Sequence, residues 1–552
     1  MIHSGLLLIF TGLVTVFIPL KIARFFWLVA ALISLFFSIT IDHGSSLFLN
    51  FLDHEIVLSR VDGLSKIFTI IFSLMTLIGL IFAWNQKCKT ELIAVLVYSG
   101  AAIGAVLAGD IFSLFFFWEV MAIGSTLIIF SSNTVLSSKA AFRYALIHFA
   151  GGAILMAGLT GYVLETNKVI FESFTLDSAY SWMILAGFLI NAGAPPFSSW
   201  ISDAYPEASY TGTVFLSAFT TKTAVYALLR GFPGSEILIA FGLFMIFYGI
   251  IYALLENDMR RILSYSIVNQ VGFMIVGAGI GTEMAINGAS AHAFAHILYK
   301  ALLLMSAGSV LLMTGKRNCS ELGGLFQTMP LTMICGTIGA FAISAFPLTS
   351  GFVSKSMISQ AAADQHLLLI WLCLAAASAG VFLHAGIKFP WFVFFQKDSG
   401  LRPPEPPYSM RLAMIILACL CIGIGVFPDY LFSILPYRVE YVPYTTSHVV
   451  FQLQLLLFAG FAFFIMLPWL KRTLTISLDL DWIYRKFFPK IISSVSKNNF
   501  LSSIKINLID NLIRYCKTSN IADSIVKSWN SGYMVLCVTG LLSLYLFVLY
   551  LI

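Results

Sequence analysis

Charge is what this sequence lacks. Only 11% of its 552 residues are Asp, Glu, Lys or Arg, while 59% are hydrophobic. A soluble domain carries roughly 25% charged residues. No long polar stretch occurs before residue 471, which excludes a string of soluble domains despite the length. Cysteine is sparse and scattered, at positions 88, 319, 335, 373, 419, 421, 516 and 537. No Cys-x-x-Cys pair exists, so neither a cluster nor a zinc site is expected. Cys419 and Cys421 sit two apart in an apolar run and read as packing residues. No nucleotide fingerprint is present either: Gly277-Ala-Gly-Ile-Gly281 ends an apolar run with no strand before it. No cofactor is therefore expected. The first apolar run, Gly5–Leu20, lacks a basic flank and a small-residue cleavage site, so it reads as a retained helix.

What is there is hydrophobic length. Runs such as Leu92–Ala108, Leu238–Leu255 and Val535–Ile552 recur from end to end. Each is long enough to cross a bilayer as a helix. They predict an all-α polytopic membrane protein, set among membrane lipids, with about sixteen transmembrane helices. The spans fall near 2–20, 22–40, 62–84, 92–109, 111–131, 139–164, 178–200, 207–230, 235–256, 260–280, 284–314, 329–362, 366–396, 409–435, 446–470 and 532–552.

Basic residues set the orientation. With the N-terminus outside, one membrane face collects Lys21, Arg24, Lys87, Lys89, Lys139, Arg260, Arg261, Lys316, Arg317, Lys397, Arg402 and Arg411. The other face collects only Arg60, Lys168, Arg230 and Arg438. The richer face is cytoplasmic by the positive-inside rule. Segment 471–530 adds ten more Lys or Arg to it. That segment reads either as an amphipathic surface helix around Ile504, Leu508, Leu512 and Ile513 or as a solvated linker. Topology thus accounts for the net charge of +6, and no nucleic-acid partner is implied.

The charges left in or near the spans are Lys66, Arg143, Lys222, Lys300, Lys355 and Lys388, with Glu119 the clearest acid. Each such charge costs about 2.5–3.5 kcal/mol at a helix centre and usually marks an ion or proton path. Lys66 and Arg143 lie near span ends, where a long side chain can snorkel to the interface. Glu119 cannot, because Phe115–Trp118 precede it and Val120–Phe130 follow. His292, His296 and Lys300 follow at steps of four, one helix face over about 12 Å. Histidine exchanges protons near neutral pH, and a buried lysine can do so too. A metal shared by the two histidines would need a carboxylate or thiolate, which this helix does not offer.

Two spans look broken: Leu189-Ile-Asn-Ala-Gly-Ala-Pro-Pro-Phe-Ser-Ser-Trp200 and Ala342-Ile-Ser-Ala-Phe-Pro-Leu-Thr-Ser-Gly-Phe-Val-Ser-Lys355. Proline removes a backbone donor. Freed backbone groups are tolerated at membrane depth only against protein or a wet cavity. The breaks lie five spans apart, as paired five-helix repeats require, although two ordinary proline kinks would read the same way.

At these residues the chain resembles the antiporter-like membrane subunits shared by Mrp-type monovalent cation/proton antiporters and respiratory complex I. Within that family it looks most like the D-type subunit of Mrp antiporters and the M-type subunit of NADH-quinone oxidoreductase. The stretches are Arg60-Val-Asp-Gly-Leu-Ser, Gly109-Asp-Ile-Phe-Ser-Leu-Phe-Phe-Phe-Trp-Glu119 and Pro196-Phe-Ser-Ser-Trp-Ile-Ser-Asp-Ala-Tyr205. They continue through Thr221–Arg230, Glu256–Ser266, the His292/His296/Lys300 helix and Gly351-Phe-Val-Ser-Lys355. The resemblance implies a fourteen-helix core with two inverted five-helix repeats and discontinuous helices. It implies a proton and cation pathway through Glu119, Arg143, Asn191, Lys222, His292, His296, Lys300, Lys355 and Lys388, with no metal. It also implies partner membrane subunits in a bacterial inner membrane, and sodium/proton exchange or, alternatively, redox-driven proton pumping. Whether the whole complex is an enzyme is left open.

The resulting division is 1–60, N-terminal helices; 61–435, the core, with half-channels at about 92–230 and 235–396; 436–470, an added helix; 471–530, the basic segment; and 531–552, a last helix. One departure stands out. Where the family has a lysine on the first broken helix, this chain has Asn191, and Ser198 replaces the family's histidine. Glu119 is therefore expected to find another cationic neighbour, Lys222 or Arg143.

Overall fold

The computed structural model describes residues 3–51, 54–468, 478–487 and 490. The chain divides into a large body, Met1–Phe51 with Glu55–Ser477, and a second unit, Leu52–His54 with Leu478–Ile552. Within the second unit the described residues hold a π-helical turn, Ile483–Phe487, and an Arg485–Asp481 ion pair of 2.8 Å.

Helices Ser4–Val14 (α1) and Leu20–Thr40 (α2) open the chain. A two-stranded sheet follows, Ser46–Phe51 (β1) with His54–Arg60 (β2), between the spans at 22–40 and 62–84. Asp62 and Ser65 then form a capping box and start Gly63–Phe82 (α3).

The next ten helical pieces make the first repeat and begin the second. They are Lys89–Leu107 (α4), Ile111–Phe130 (α5), Val135–Thr166 (α6), Ala179–Ala192 (α7), Trp200–Ala204 (α8), Gly212–Ala218 (α9), Thr220–Gly231 (α10), Ile237–Leu255 (α11), Met259–Ile280 (α12) and Glu283–Thr314 (α13). Pro330–Ile343 (α14), Ser350–Asp364 (α15) and Leu368–Val381 (α16) complete the second repeat. The last of these runs on through π-helical turns Phe382–Lys388 and Trp391–Phe395. Tyr408–Val426 (α17), Asp429–Phe432 (α18) and Thr446–Met466 (α19) close the described part of the body.

Fifteen of the sixteen spans read from the sequence coincide with these helices or helix pairs. The sixteenth, 532–552, lies outside the described residues, as does most of 471–530. Two spans are less regular than expected. The one at 207–230 breaks at Phe219, and the one at 366–396 ends in π-helix.

The repeat shows in backbone pairing. Asp110 caps α5 and Asp258, 148 positions on, caps α12 through the same kind of side-chain acceptance. Ile111 N–H donates to Val169 O at 2.9 Å, and Met259 N–H to Arg317 O at 2.9 Å. Phe171 N–H donates to Gly109 O, and Cys319 N–H to Asn257 O. Helices α6 and α13 each have 32 residues and end in Thr166 and Thr314, again 148 apart. Five crossings is an odd number, so the second repeat runs through the membrane inverted relative to the first.

Burial sorts the helices. The apolar windows of α12 and of α9–α10 are entirely buried, whereas only 33% of that of α2 and 22% of that of α19 are. A helix apolar all round and buried all round sits at the centre of a bundle. One tight crossing lies between α11 and α12. A Cβ on Gly242 would stand 2.7 Å from Gly272 O, and one on Gly272 would stand 2.6 Å from Gly242 O. Close approach through small residues is how membrane helices gain packing energy. Gly272→Val is therefore expected to cost about 1–3 kcal/mol by overpacking. Thermal unfolding in detergent checks this, with Gly423→Val as control, because a Cβ there meets nothing within 4 Å.

Candidate functional site

The buried lysines share one placement: most end on helix carbonyls. Helix α9 stops at Ala218, and the break at Phe219 frees its last carbonyls. Lys222, 0% exposed, donates from Nζ to Ser217 O at 2.6 Å and to Thr221 Oγ1 at 3.1 Å. Lys355 donates to Ile343 O, the final residue of α14, at 2.6 Å. Lys388 donates to Ala253 O, Leu254 O and Glu256 O at the end of α11, at 3.0, 2.6 and 2.5 Å. Helix C-termini carry unsatisfied carbonyls and the negative end of the macrodipole, so they hold a cation without a carboxylate. The second break holds Ala345 and Leu348 in the left-handed region, φ 56° and 68°. Non-glycine residues stay there only where the surroundings impose it.

Lys300 is held differently. Its Nζ donates to Ser266 Oγ at 2.9 Å and Leu263 O at 3.3 Å, both on α12. One turn back, His296 has no hydrogen-bond partner on either ring nitrogen among the described residues. Another turn back, His292 pairs Nδ1 with Ser354 Oγ at 3.0 Å and Nε2 with Gln270 Oε1 at 3.2 Å. Tyr299 donates to the same Gln270 Oε1 at 3.0 Å. The ring of Phe273 lies 4.9 Å from Lys355 Nζ. His384, on the π-helical turn, places Nδ1 2.9 Å from Gly380 O and leaves Nε2 without a described partner. His292, His296, Lys300, Lys355 and His384 thus gather around α12 and α13, and α10 carries Lys222 against the same two helices.

The first repeat holds a smaller group. Glu119 Oε1 makes no hydrogen bond to any described residue and lies against bare Gly152, where a Cβ would meet it at 2.0 Å. Asn191 is 1% exposed, and neither amide atom has a described partner. His148 is equally buried and equally unpartnered. Its ring packs 4.0 Å from that of Tyr144 and 4.6 Å from that of Trp200.

The sequence and the fold have known counterparts. The family profile described as NADH:quinone oxidoreductase/Mrp antiporter, TM, matches residues 108–381. The D subunit of the Na(+)/H(+) antiporter of Alkalihalophilus pseudofirmus is 28% identical over 351 residues, covering 60% of this chain and 71% of its own. The M subunit of the NADH-quinone oxidoreductase of Pseudomonas aeruginosa is 26% identical over 402 residues, covering 67% and 78%. Over residues 108–381 the chain is similar to the NADH:quinone oxidoreductase/Mrp antiporter membrane family. Its relatives include both Mrp antiporter subunits and respiratory-complex subunits. Its fold also superposes with TM-score 0.77 on a chain of the membrane-bound sulfane sulfur reductase, an archaeal respiratory membrane complex. That match has 22% identity and covers 93% of this chain and 99% of the other.

This similarity makes the departures at Asn191 and Ser198 informative. The expected cationic neighbour of Glu119 is absent among its hydrogen-bond partners in the described residues. Arg143 instead makes two 2.7 Å bonds to Asp203, and Lys222 is taken up by Ser217 O. The reason is geometric: Glu119 lies against Gly152, nine residues or about 13 Å along α6 from Arg143, whereas Asp203 on α8 lies within reach of the guanidinium fork. A buried acid also stands in the first turn of α4. Glu91, 1% exposed, accepts from Ser209 Oγ at 2.7 Å and Thr211 Oγ1 at 2.5 Å. Sequence reasoning passed over His148, Gln270, Tyr299 and His384. For His148 a signal existed, since it stands 148 positions before His296 on a helix of the same length.

Proposed function

We propose that this chain carries protons across the membrane as the D-type subunit of a multi-subunit Mrp-type complex. It exchanges them for Na⁺ or another monovalent cation. The observation that supports this reading is the row of buried lysines and histidines on α10, α13, α15 and the π-helical turn. Among the described residues, no carboxylate is hydrogen-bonded to Lys222, Lys300 or Lys355. Glu119 and Lys222 handle the proton in the first repeat, with Asn191 beside them and Arg143 at the margin. His292, His296 and Lys300 form the axis of the second repeat. Lys355 and Lys388 lie toward its far end.

The coupling is electrostatic. A proton placed on Lys300 raises the cost of a second charge on its neighbours, and a proton leaving lowers it. Between helices the effective dielectric is far below that of water, so the coupling reaches several kcal/mol. The basic asymmetry of the loops supports an N-terminus outside and a cytoplasmic 471–530, in the bacterial plasma membrane that the resemblance implies.

The test is proton flux in everted vesicles containing the whole complex. Adding Na⁺ to acid-loaded vesicles should discharge the pH gradient at once. No response to Na⁺, K⁺ or Li⁺ would defeat the antiport reading. A second reading is a proton-pumping subunit of a redox-driven respiratory complex. It is favoured by the 26% identity with an NADH-quinone oxidoreductase subunit over 67% of this chain. Purifying the complex through a tag on this chain separates the two. Cluster-bearing hydrophilic partners support the redox reading, and small membrane subunits alone support the antiporter.

A further inference from the structure

The first repeat carries Asn191 where the resemblance implies a lysine, yet it keeps a half-buried carboxyl at Glu119, whose buried Oε1 has no partner among the described residues. What takes the proton next is visible on α6. Three positions of α6 map onto α13 at the 148-residue offset: Tyr144 onto His292, His148 onto His296 and Gly152 onto Lys300. His148 therefore occupies the place of a histidine on the second repeat's axis.

Its surroundings fit more than packing. The ring is enclosed by Tyr144 and Trp200, and Trp200 is fixed by its 3.0 Å bond from Nε1 to Ile190 O. The polar edge is free, with no hydrogen bond to a described residue at Nδ1 or Nε2. Asn191 faces it closely enough to interact, though outside hydrogen-bond geometry. Glu119 touches Gly152, one helical turn from His148 on the same face of α6. An ordinary core histidine is satisfied by a neighbour. Here three polar groups on three helices lie together unsatisfied, each costing about 1–3 kcal/mol if dry. Such a cluster is where internal water is held.

An outlet continues from the ring. Tyr144 OH donates to Ser125 Oγ at 3.0 Å and lies 3.5 Å from Thr220 Oγ1. Thr220 Oγ1 is 2.7 Å from Tyr98 OH and begins the helix that carries Lys222. The titratable groups set about His148 are Glu119 on α5, which meets α6 at Gly152, and Tyr144, with the Arg143–Asp203 pair between α6 and α8 and Tyr98 beyond Thr220.

We propose that His148 is the proton carrier of the first repeat, doing there the work that the family gives to a lysine at position 191. The Glu119 carboxyl gives its proton through water to the imidazole, and the imidazolium passes it toward the Lys222 amine. This rests on the transport reading above.

The experiment compares three variants in vesicles with the intact complex: His148→Gln, Asn191→Lys and the double variant. His148→Gln should cut cation-coupled proton flux by at least about ten-fold, as loss of a positioned acid–base group does. The amount of assembled complex should be unchanged. Adding Asn191→Lys should restore most of the flux and move the pH optimum upward, because lysine keeps its proton to higher pH than histidine. Wild-type flux in His148→Gln overturns the proposal. So does a loss that Asn191→Lys does not rescue, which marks His148 as packing alone. A wild-type complex with no flux would instead overturn the transport reading itself.

Discussion

Lys300→Ala is expected to lower cation-coupled proton flux by roughly 10²-fold, the usual effect of removing a positioned proton-transfer group. Lys300 is 0% exposed, and its ammonium is held by a serine hydroxyl and one backbone carbonyl. Neither acceptor is a carboxylate, so a fixed structural ion pair does not explain its retention. An intramembrane charge held so lightly is costly, and such residues mark ion paths. Lys300→Gln separates titration from shape. It keeps a donor for Ser266 Oγ but binds no extra proton, and it should fail as Ala does. Flux in everted vesicles, normalised to assembled complex, checks both. Full activity in Lys300→Gln would remove Lys300 from the pathway.

Glu119→Ala should lose flux to a similar degree, and it should carry a second signature. Because Oε1 has no partner among the described residues, the carboxyl lowers stability by about 1–3 kcal/mol unless water reaches it. The variant should therefore be inactive while its thermal midpoint in detergent stays level or rises. A merely structural residue behaves the other way, losing stability along with activity. An active Glu119→Ala would contradict its role, and a strong drop in midpoint would mark it as packing.

Span lengths, the two proline breaks and the His292/His296/Lys300 face were legible because each is written in local sequence. A twenty-residue apolar run has few alternatives in a bilayer. The break at Phe219 was not legible, since no proline or glycine marks it. It follows from tertiary packing of a fully buried helix, with Lys222 taking up the freed carbonyl. The short sheet before α3 is hidden because the linking segment is only partly apolar. Lys355 and Lys388 stand out as buried charges, but their carbonyl partners come from helices 12 and over 130 positions away. Local sequence offers Arg143 as a neighbour of Glu119, yet Asp203, sixty residues on, claims it. His148 is hidden among apolar neighbours until the two repeats are aligned by their backbone pairing.

Ordered water in the purified complex, imaged at a resolution that shows it, probes the pathway most directly. Density should bridge Glu119, His148 and Asn191 in one repeat and surround His296 and His384 Nε2 in the other. Dry, close-packed apolar contacts at those five side chains would contradict proton conduction through this bundle.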